Sequence, residues 1–141
     1  MTPKQISYNQ LRKAIEVSFN NDNFIFDFYD PNSKVENLTE IVDDILNKIN
    51  TYEKPFYFGI YDKEKLIGYF VYKESQLISF ALAKEYRVRK YLREFFKIIK
   101  NQIKGHFSCV LWAKNTRAIK YLLKHKMEVI KQNDELILLA I

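Results

Sequence analysis

The six residues Arg87-Val88-Arg89-Lys90-Tyr91-Leu92 gather three cations at the start of a predicted helix. The first N–H groups of a helix have no partner within it, and the aligned peptide dipoles leave positive charge there, so such a place suits a phosphate. Charged helix ends are more often plain solvated faces, and that reading weighs more for Arg89 and Lys90. Further on, Lys90, Arg93, Lys97, Lys100 and Lys104 recur at threes and fours, and so do Arg117, Lys120 and Lys124. Residues at that spacing share a helix face. Two such rows suit the phosphates of a small ligand, a nucleic-acid backbone or an acidic protein surface, and a basic solubilising surface accounts for them equally well. No nucleic-acid motif or aromatic platform sharpens the choice. His106 and His125 stand alone, without Cys, Asp or Glu at ligand spacing, so no metal site is expected. The single Cys109, inside Phe107-Ser-Cys-Val-Leu-Trp112, excludes an intrachain disulfide and reads as a small buried hydrophobe.

Elements must hold these residues in place. A first helix is predicted from Ser7 or Tyr8, with Leu11, Ile15 and Phe19 four apart, until Asn20-Asn-Asp-Asn23 stops it. Residues 24–29 are expected as a short strand and Asp30-Pro-Asn-Ser33 as a turn. A second helix follows over 35–50, its stripe made by Leu38, Ile41, Val42, Ile45, Leu46 and Ile49, with Glu40, Asp43 and Asp44 outside. The period then changes to two. Strands over 56–61 and 66–72 form a hairpin, and a third strand covers 76–83. A helix over 88–103 buries Leu92, Phe95, Phe96, Ile99 and Ile103, and Gly105 ends it. Residues 107–112 lack alternation, as in a strand covered on both faces. Asn115 or Thr116 caps a helix to residue 125, and residues 127–131 and 135–141 make a last hairpin. The fold class is therefore α/β (α+β), one domain over 1–141 with a mixed central sheet, helices on both faces and the order α-α-β-β-β-α-β-α-β-β. Strands 77–83 and 107–112 should lie side by side and parallel, joined by the 88–103 helix.

Two stretches within that order resemble the GNAT N-acetyltransferase superfamily. Leu77-Ile-Ser-Phe-Ala-Leu-Ala-Lys-Glu-Tyr-Arg-Val-Arg-Lys-Tyr-Leu92 is similar to the family's fourth strand, its V-x-P-E-Y-R exit and the start of the next helix. Asn115-Thr-Arg-Ala-Ile-Lys-Tyr-Leu-Leu-Lys-His-Lys-Met127 is similar to its N-x-R-A-I-x-F-Y-E-K-x-G-F segment. The resemblance covers about residues 35–141, and no strand is placed ahead of the first helix where the family has one. It implies a GNAT fold and an acetyl-CoA pyrophosphate held by a Q/R-x-x-G-x-G/A turn. That turn falls on Arg87, Val88, Arg89, Lys90, Tyr91 and Leu92, with Asn115 nearby. Lys90 and Leu92 stand at the two glycine positions, where side chains crowd a phosphate. The family's general acid, a Tyr, falls on Leu122; Tyr121 is one residue earlier, about 100° around the helix. Strand 76–83 carries no carboxylate, which leaves Tyr121 and Glu85 as the catalytic candidates. The glycine that ends this helix in the family is Lys126 here.

What is kept serves the fold, and what is missing serves acetyl transfer. The leading expectation is thus a degenerate, non-catalytic GNAT-fold protein that acts by binding or assembly, with no cofactor and with a protein partner or a second copy. Similar degenerate domains occur among virion proteins of short-tailed bacteriophages. A divergent N-acyltransferase gripping acetyl-CoA through Arg87, Arg89 and Lys90 is the runner-up. A polyanion-contacting accessory protein, using Arg93, Lys97, Lys100, Arg117 and Lys120, comes third. Composition agrees with a packed domain: 141 residues, 48% hydrophobic, with 11 Phe and 10 Tyr against only 3 Gly and 3 Pro. Net charge is −4 over residues 1–62 and +10 over 63–141, an asymmetry that suits a polyanionic or acidic partner. No apolar run nears the roughly 20 residues of a membrane span, and no signal peptide opens the chain. The expected location is cytoplasmic, or the virion for a phage protein.

Overall fold

A computed structural model describes residues 1–29 and 35–141. The elements are β1 (Thr2–Gln5), α1 (Tyr8–Phe19), α2 (Ile25–Phe28), α3 (Leu38–Ile49), β2 (Phe56–Asp62), β3 (Lys65–Lys73), β4 (Gln76–Leu82), α4 (Arg89–Ile103), β5 (Ser108–Trp112), α5 (Thr116–Lys124), β6 (Glu128–Gln132) and β7 (Leu136–Ala140). The strands form one seven-stranded sheet in the order β1-β2-β3-β4-β5-β7-β6. Neighbours are antiparallel except β4 and β5, which run parallel as expected.

Capping chemistry sets where α1, α3 and α5 start. Ser7 and Gln10 exchange bonds in a capping box at α1, and the Asn37 and Asn115 side chains accept from the Glu40 and Ala118 N–H groups at α3 and α5. Alternate residues of β3 then split the core between the faces of the sheet. Tyr69 and Val71 pack with Leu11, Ile15, Ile41, Val42 and Leu46 of α1 and α3. Phe70 packs with Phe95, Phe96 and Ile99 of α4 and Leu122 of α5. Cys109 is buried in this second layer, and burial pushes its thiol up to about 12, so it is the inert hydrophobe the sequence suggests. Among the described residues no helix is long and apolar enough to cross a membrane.

Two expectations are corrected and one falls outside the described residues. A strand does precede the first helix: Thr2–Gln5 pairs with β2, Thr2 opposite Tyr61 and Gln5 opposite Phe58. It escapes sequence reading because it is a polar, largely exposed edge strand, where Pro3 is tolerated since an edge needs fewer donors. Residues 24–29, expected as strand, contain the single-turn helix α2 instead. Asp22 accepts from the Phe24 N–H at 3.2 Å, which starts the turn, and the Asp27 and Tyr29 N–H groups reach back to the Phe24 and Ile25 carbonyls. Tertiary burial of Ile25 outweighs the strand preference of its aromatic neighbours. The turn expected at Asp30-Pro-Asn-Ser33 lies outside the described residues. Lys126 has φ 71°, so the left-handed turn after α5 is kept with a lysine where glycine would fit without strain.

Candidate functional site

The site arises where the sheet fails to close. β4 and β5 pair only at Gln76–Ser108 and Leu77–Cys109. At the same point the pairing of β4 with β3 slips, from Val71–Ser79 to Tyr72–Leu77, which leaves Ile78 as an unpaired bulge residue. A bulge bends its strand and ends regular pairing. Beyond it β4 and β5 separate, and a cavity of about 800 Å³ opens between them. Ile78, Ser79, Phe80 and Ala81 are therefore only half-buried, although β4 is the middle strand. The β4–α4–β5 crossover thus holds the cleft open.

Its lining is mostly apolar and aromatic: Phe24, Tyr52, Tyr69, Phe80, Phe95, Trp112 and Tyr121 contribute rings. Asp22 is the one carboxylate among the described lining residues, and Lys48, Arg87, Arg117 and Lys120 are the cations. The Asp22 side chain is 4% exposed and is ion-paired with Arg87. The Arg87 guanidinium also donates to the Leu82 and Ser18 carbonyls, both at 2.7 Å. All three bonds tie the end of β4 to the end of α1. Arg117 lies 3.9 Å from the other Asp22 oxygen and stacks over Phe24, 4.0 Å from the ring centroid.

Two of the lining tyrosines have their hydroxyls in hydrogen bonds. Tyr121 donates to the Leu92 carbonyl at 2.7 Å, with its ring against Phe80, Phe96 and His125. Burial pushes its pKa up. Tyr69 shares a 2.7 Å hydrogen bond with Ser79 and is likewise raised, chiefly by burial. Leu122 is fully buried in the α4/α5 core and is absent from the cleft wall.

Of the residues singled out in the sequence, the cleft brings together Arg87, Leu92, Asn115, Arg117, Lys120 and Tyr121. Asn115 is the α5 cap, bonded to the Ala118 N–H at 3.3 Å. Val88, Arg89, Lys90 and Tyr91 are not in the wall; Val88, Arg89 and Lys90 are exposed, and Lys90 Nζ sits 5.5 Å from the Tyr91 ring centroid. Of the two residues that the family resemblance sets at glycine positions, Leu92 lines the cleft and Lys90 does not. Glu85 is exposed on the turn Lys84–Tyr86, away from the cleft. Arg93, Lys97 and Lys100 are exposed on the outer side of α4. Sequence reading misses Asp22, Trp112 and the Tyr69–Ser79 pair. Asp22, inside the helix-stopping run Asn20-Asn-Asp-Asn23, carries only the signal of a turn residue.

No family model matches the chain, and no curated protein matches it by sequence. Solved structures do match, over nearly all of the chain. An acetyltransferase from Thermus thermophilus superposes with a TM-score of 0.73 at 12% identity, over 100% of this chain and 97% of that one. The PaiA N-acetyltransferase of Thermoplasma acidophilum, solved with coenzyme A, gives 0.64 at 14% identity, over 99% and 96%. A probable GNAT-family acetyltransferase from Chromobacterium violaceum gives 0.69 at 8% identity, over 99% and 85%.

Proposed function

Starting from a chain that has the GNAT acetyltransferase fold, we propose that it keeps the fold's cleft as a binding site and does not transfer acetyl groups. The observation that carries this reading is on α5. The position the family resemblance gives to the general acid is Leu122, buried in the core, while Tyr121, which does line the cleft, has its hydroxyl proton committed to the Leu92 carbonyl. Loss of a general acid typically costs about 10²–10⁴ in rate. Two further features support the same conclusion. The carboxylate among the described cleft residues, Asp22, is ion-paired with Arg87, and Arg87 itself is spent on internal bonds and withheld from a phosphate. A binding role implies a ligand or partner for an aromatic cleft with Arg117 and Lys120 at its exposed rim, and assembly with a protein or a second copy fits that role.

One observation favours the runner-up, a divergent acyltransferase. Val88 offers no side-chain cap to α4, so among the described residues the first N–H groups of that helix have no side-chain partner, with Arg89 and Lys90 exposed beside them. The test is release of coenzyme A from acetyl-CoA across a panel of primary amines. Under the binding reading the rate equals that without protein, in wild type and in Tyr121→Phe alike. Turnover that Tyr121→Phe lowers by about 10² or more would make Tyr121 the acid and the chain an enzyme.

A further inference from the structure

We propose that the outer face of α4, together with the end of α5 beside it, binds the phosphate backbone of double-stranded nucleic acid. Every exposed residue of α4 is Lys or Arg except Asn101: Arg89, Lys90, Arg93, Lys97 and Lys100. Its one acid, Glu94, is half-buried. Arg93, Lys97, Lys100 and, just past the helix, exposed Lys104 follow one another at four, three and four, so they stand in one row opposite buried Phe95, Phe96 and Ile99. Arg117 and Lys120 line the cleft and are left to it. Lys124, at the far end of α5, joins the row.

His125 shows that the two helices' charges meet. Its ring stacks on Phe96 of α4 at 4.7 Å, and burial together with the charges of Lys124 and Arg93 lowers its pKa. On the opposite face of the sheet, charges of both signs occur and are paired, Arg12 with Asp43 and Lys48 with Asp44. The basic surface is thus one-sided.

The row's chemistry selects the occupant. Arg93 to Lys104 spans about 16 Å along the axis, the length of about five phosphates of one strand. Protein interfaces centre on buried aromatic or apolar anchors, and single strands stack their bases on aromatic rings. Among the described residues the exposed face of these two helices offers one large apolar side chain, Leu123, and no exposed aromatic ring. Cations without anchors suit a duplex backbone, bound without regard to sequence.

The test is fluorescence anisotropy of a labelled duplex of about 20 base pairs, longer than the row, titrated at several salt concentrations. With about four or five phosphates neutralised, log K should fall with log salt at a slope near −4. Lys97→Glu with Lys100→Glu should weaken binding at least tenfold and flatten the slope by about 2, with an unchanged circular dichroism spectrum. Lys13→Glu with Lys54→Glu, an equal charge change away from α4 and α5, should leave affinity within about twofold. Duplex binding should also raise the pKa of His125, as read by NMR. Three results would overturn the proposal: no binding at low salt, equal loss in both double variants, or tighter binding of polyglutamate than of the duplex. The last would assign the face to an acidic protein.

Discussion

Replacing Arg87 by Met keeps an apolar stem of similar bulk and removes the guanidinium with its charge, which separates a structural arginine from a ligand-binding one. In the native fold the guanidinium holds Asp22 and two main-chain carbonyls. After Arg87→Met the Asp22 carboxylate, 4% exposed, keeps the Phe24 N–H at 3.2 Å and Arg117 at 3.9 Å. Removing one partner of a buried ion pair costs about 3–5 kcal/mol. Arg117 nearby and the 22% exposure of the Arg87 side chain place this case at the low end, about 3 kcal/mol. At roughly 2–4 °C per kcal/mol for a chain of this size, Tm should fall by about 9 °C. Asp22→Asn leaves Arg87 its two carbonyls and should cost less, about 1–2 kcal/mol. The double variant should be less unstable than the sum by about 2 kcal/mol, since the two residues act on each other. Urea unfolding with an unchanged m value is the assay. A loss under about 0.5 kcal/mol for Arg87→Met would show that the pair contributes little, and the reasoning that takes Arg87 away from a ligand would fall.

Three other perturbations follow from the same geometry. Leu122→Tyr forces a larger ring into a fully buried site, so it should destabilise by about 1–3 kcal/mol in urea unfolding and yield no acetyl transfer; activity gained would mean the cleft reaches that position. Lys126→Gly relieves a non-glycine residue at φ 71° and should stabilise by about 0.5–1 kcal/mol, seen as a Tm rise of a few degrees; a fall would show that the Lys126 side chain is needed. The pKa of His125 lies below its ordinary 6.5 through burial and the charges of Lys124 and Arg93. The unfolded chain therefore takes up this proton more readily, so the residue's contribution is full above about pH 6.5 and is lost as pH falls. Between pH 7 and pH 5 the stability of His125→Gln should fall less than that of wild type, and equal falls would place the acid sensitivity elsewhere.

The readable parts of the fold are those with a strong period and a cap. The Leu38–Ile49 stripe behind Asn37, the Leu92–Ile99 stripe of α4 and the Asn115 cap each appear within a few residues of the expected bounds. So does the parallel β4–β5 neighbourhood, because an apolar strand–helix–strand run has few other ways to bury both strands. β1 is invisible because three polar residues and a proline on an edge carry no hydrophobic alternation. α2 reads as strand because a six-residue aromatic run has no period of its own and tertiary burial decides it. The cleft depends on a bulge at Ile78, a matter of register that residue types do not encode. Asp22 and Arg87 are 65 positions apart, and single-sequence reading has no signal for a pairing at that distance. The resemblance supplies the identity of α5's positions, but packing alone decides that Leu122 turns into the core while Tyr121 faces the cleft.

Calorimetric titration of the native chain with acetyl-CoA tests the central claim most directly. Leu92 lines the cleft at a position where the family resemblance has glycine, and Arg87 is held by Asp22, Ser18 and Leu82. The expected result is no saturable heat, or binding no tighter than about 1 mM, the weak end of specific affinity. Binding near 1 μM, lost on Lys90→Ala, would contradict the account. It would show that a lysine side chain does the work of the glycine turn and that the cleft takes acetyl-CoA.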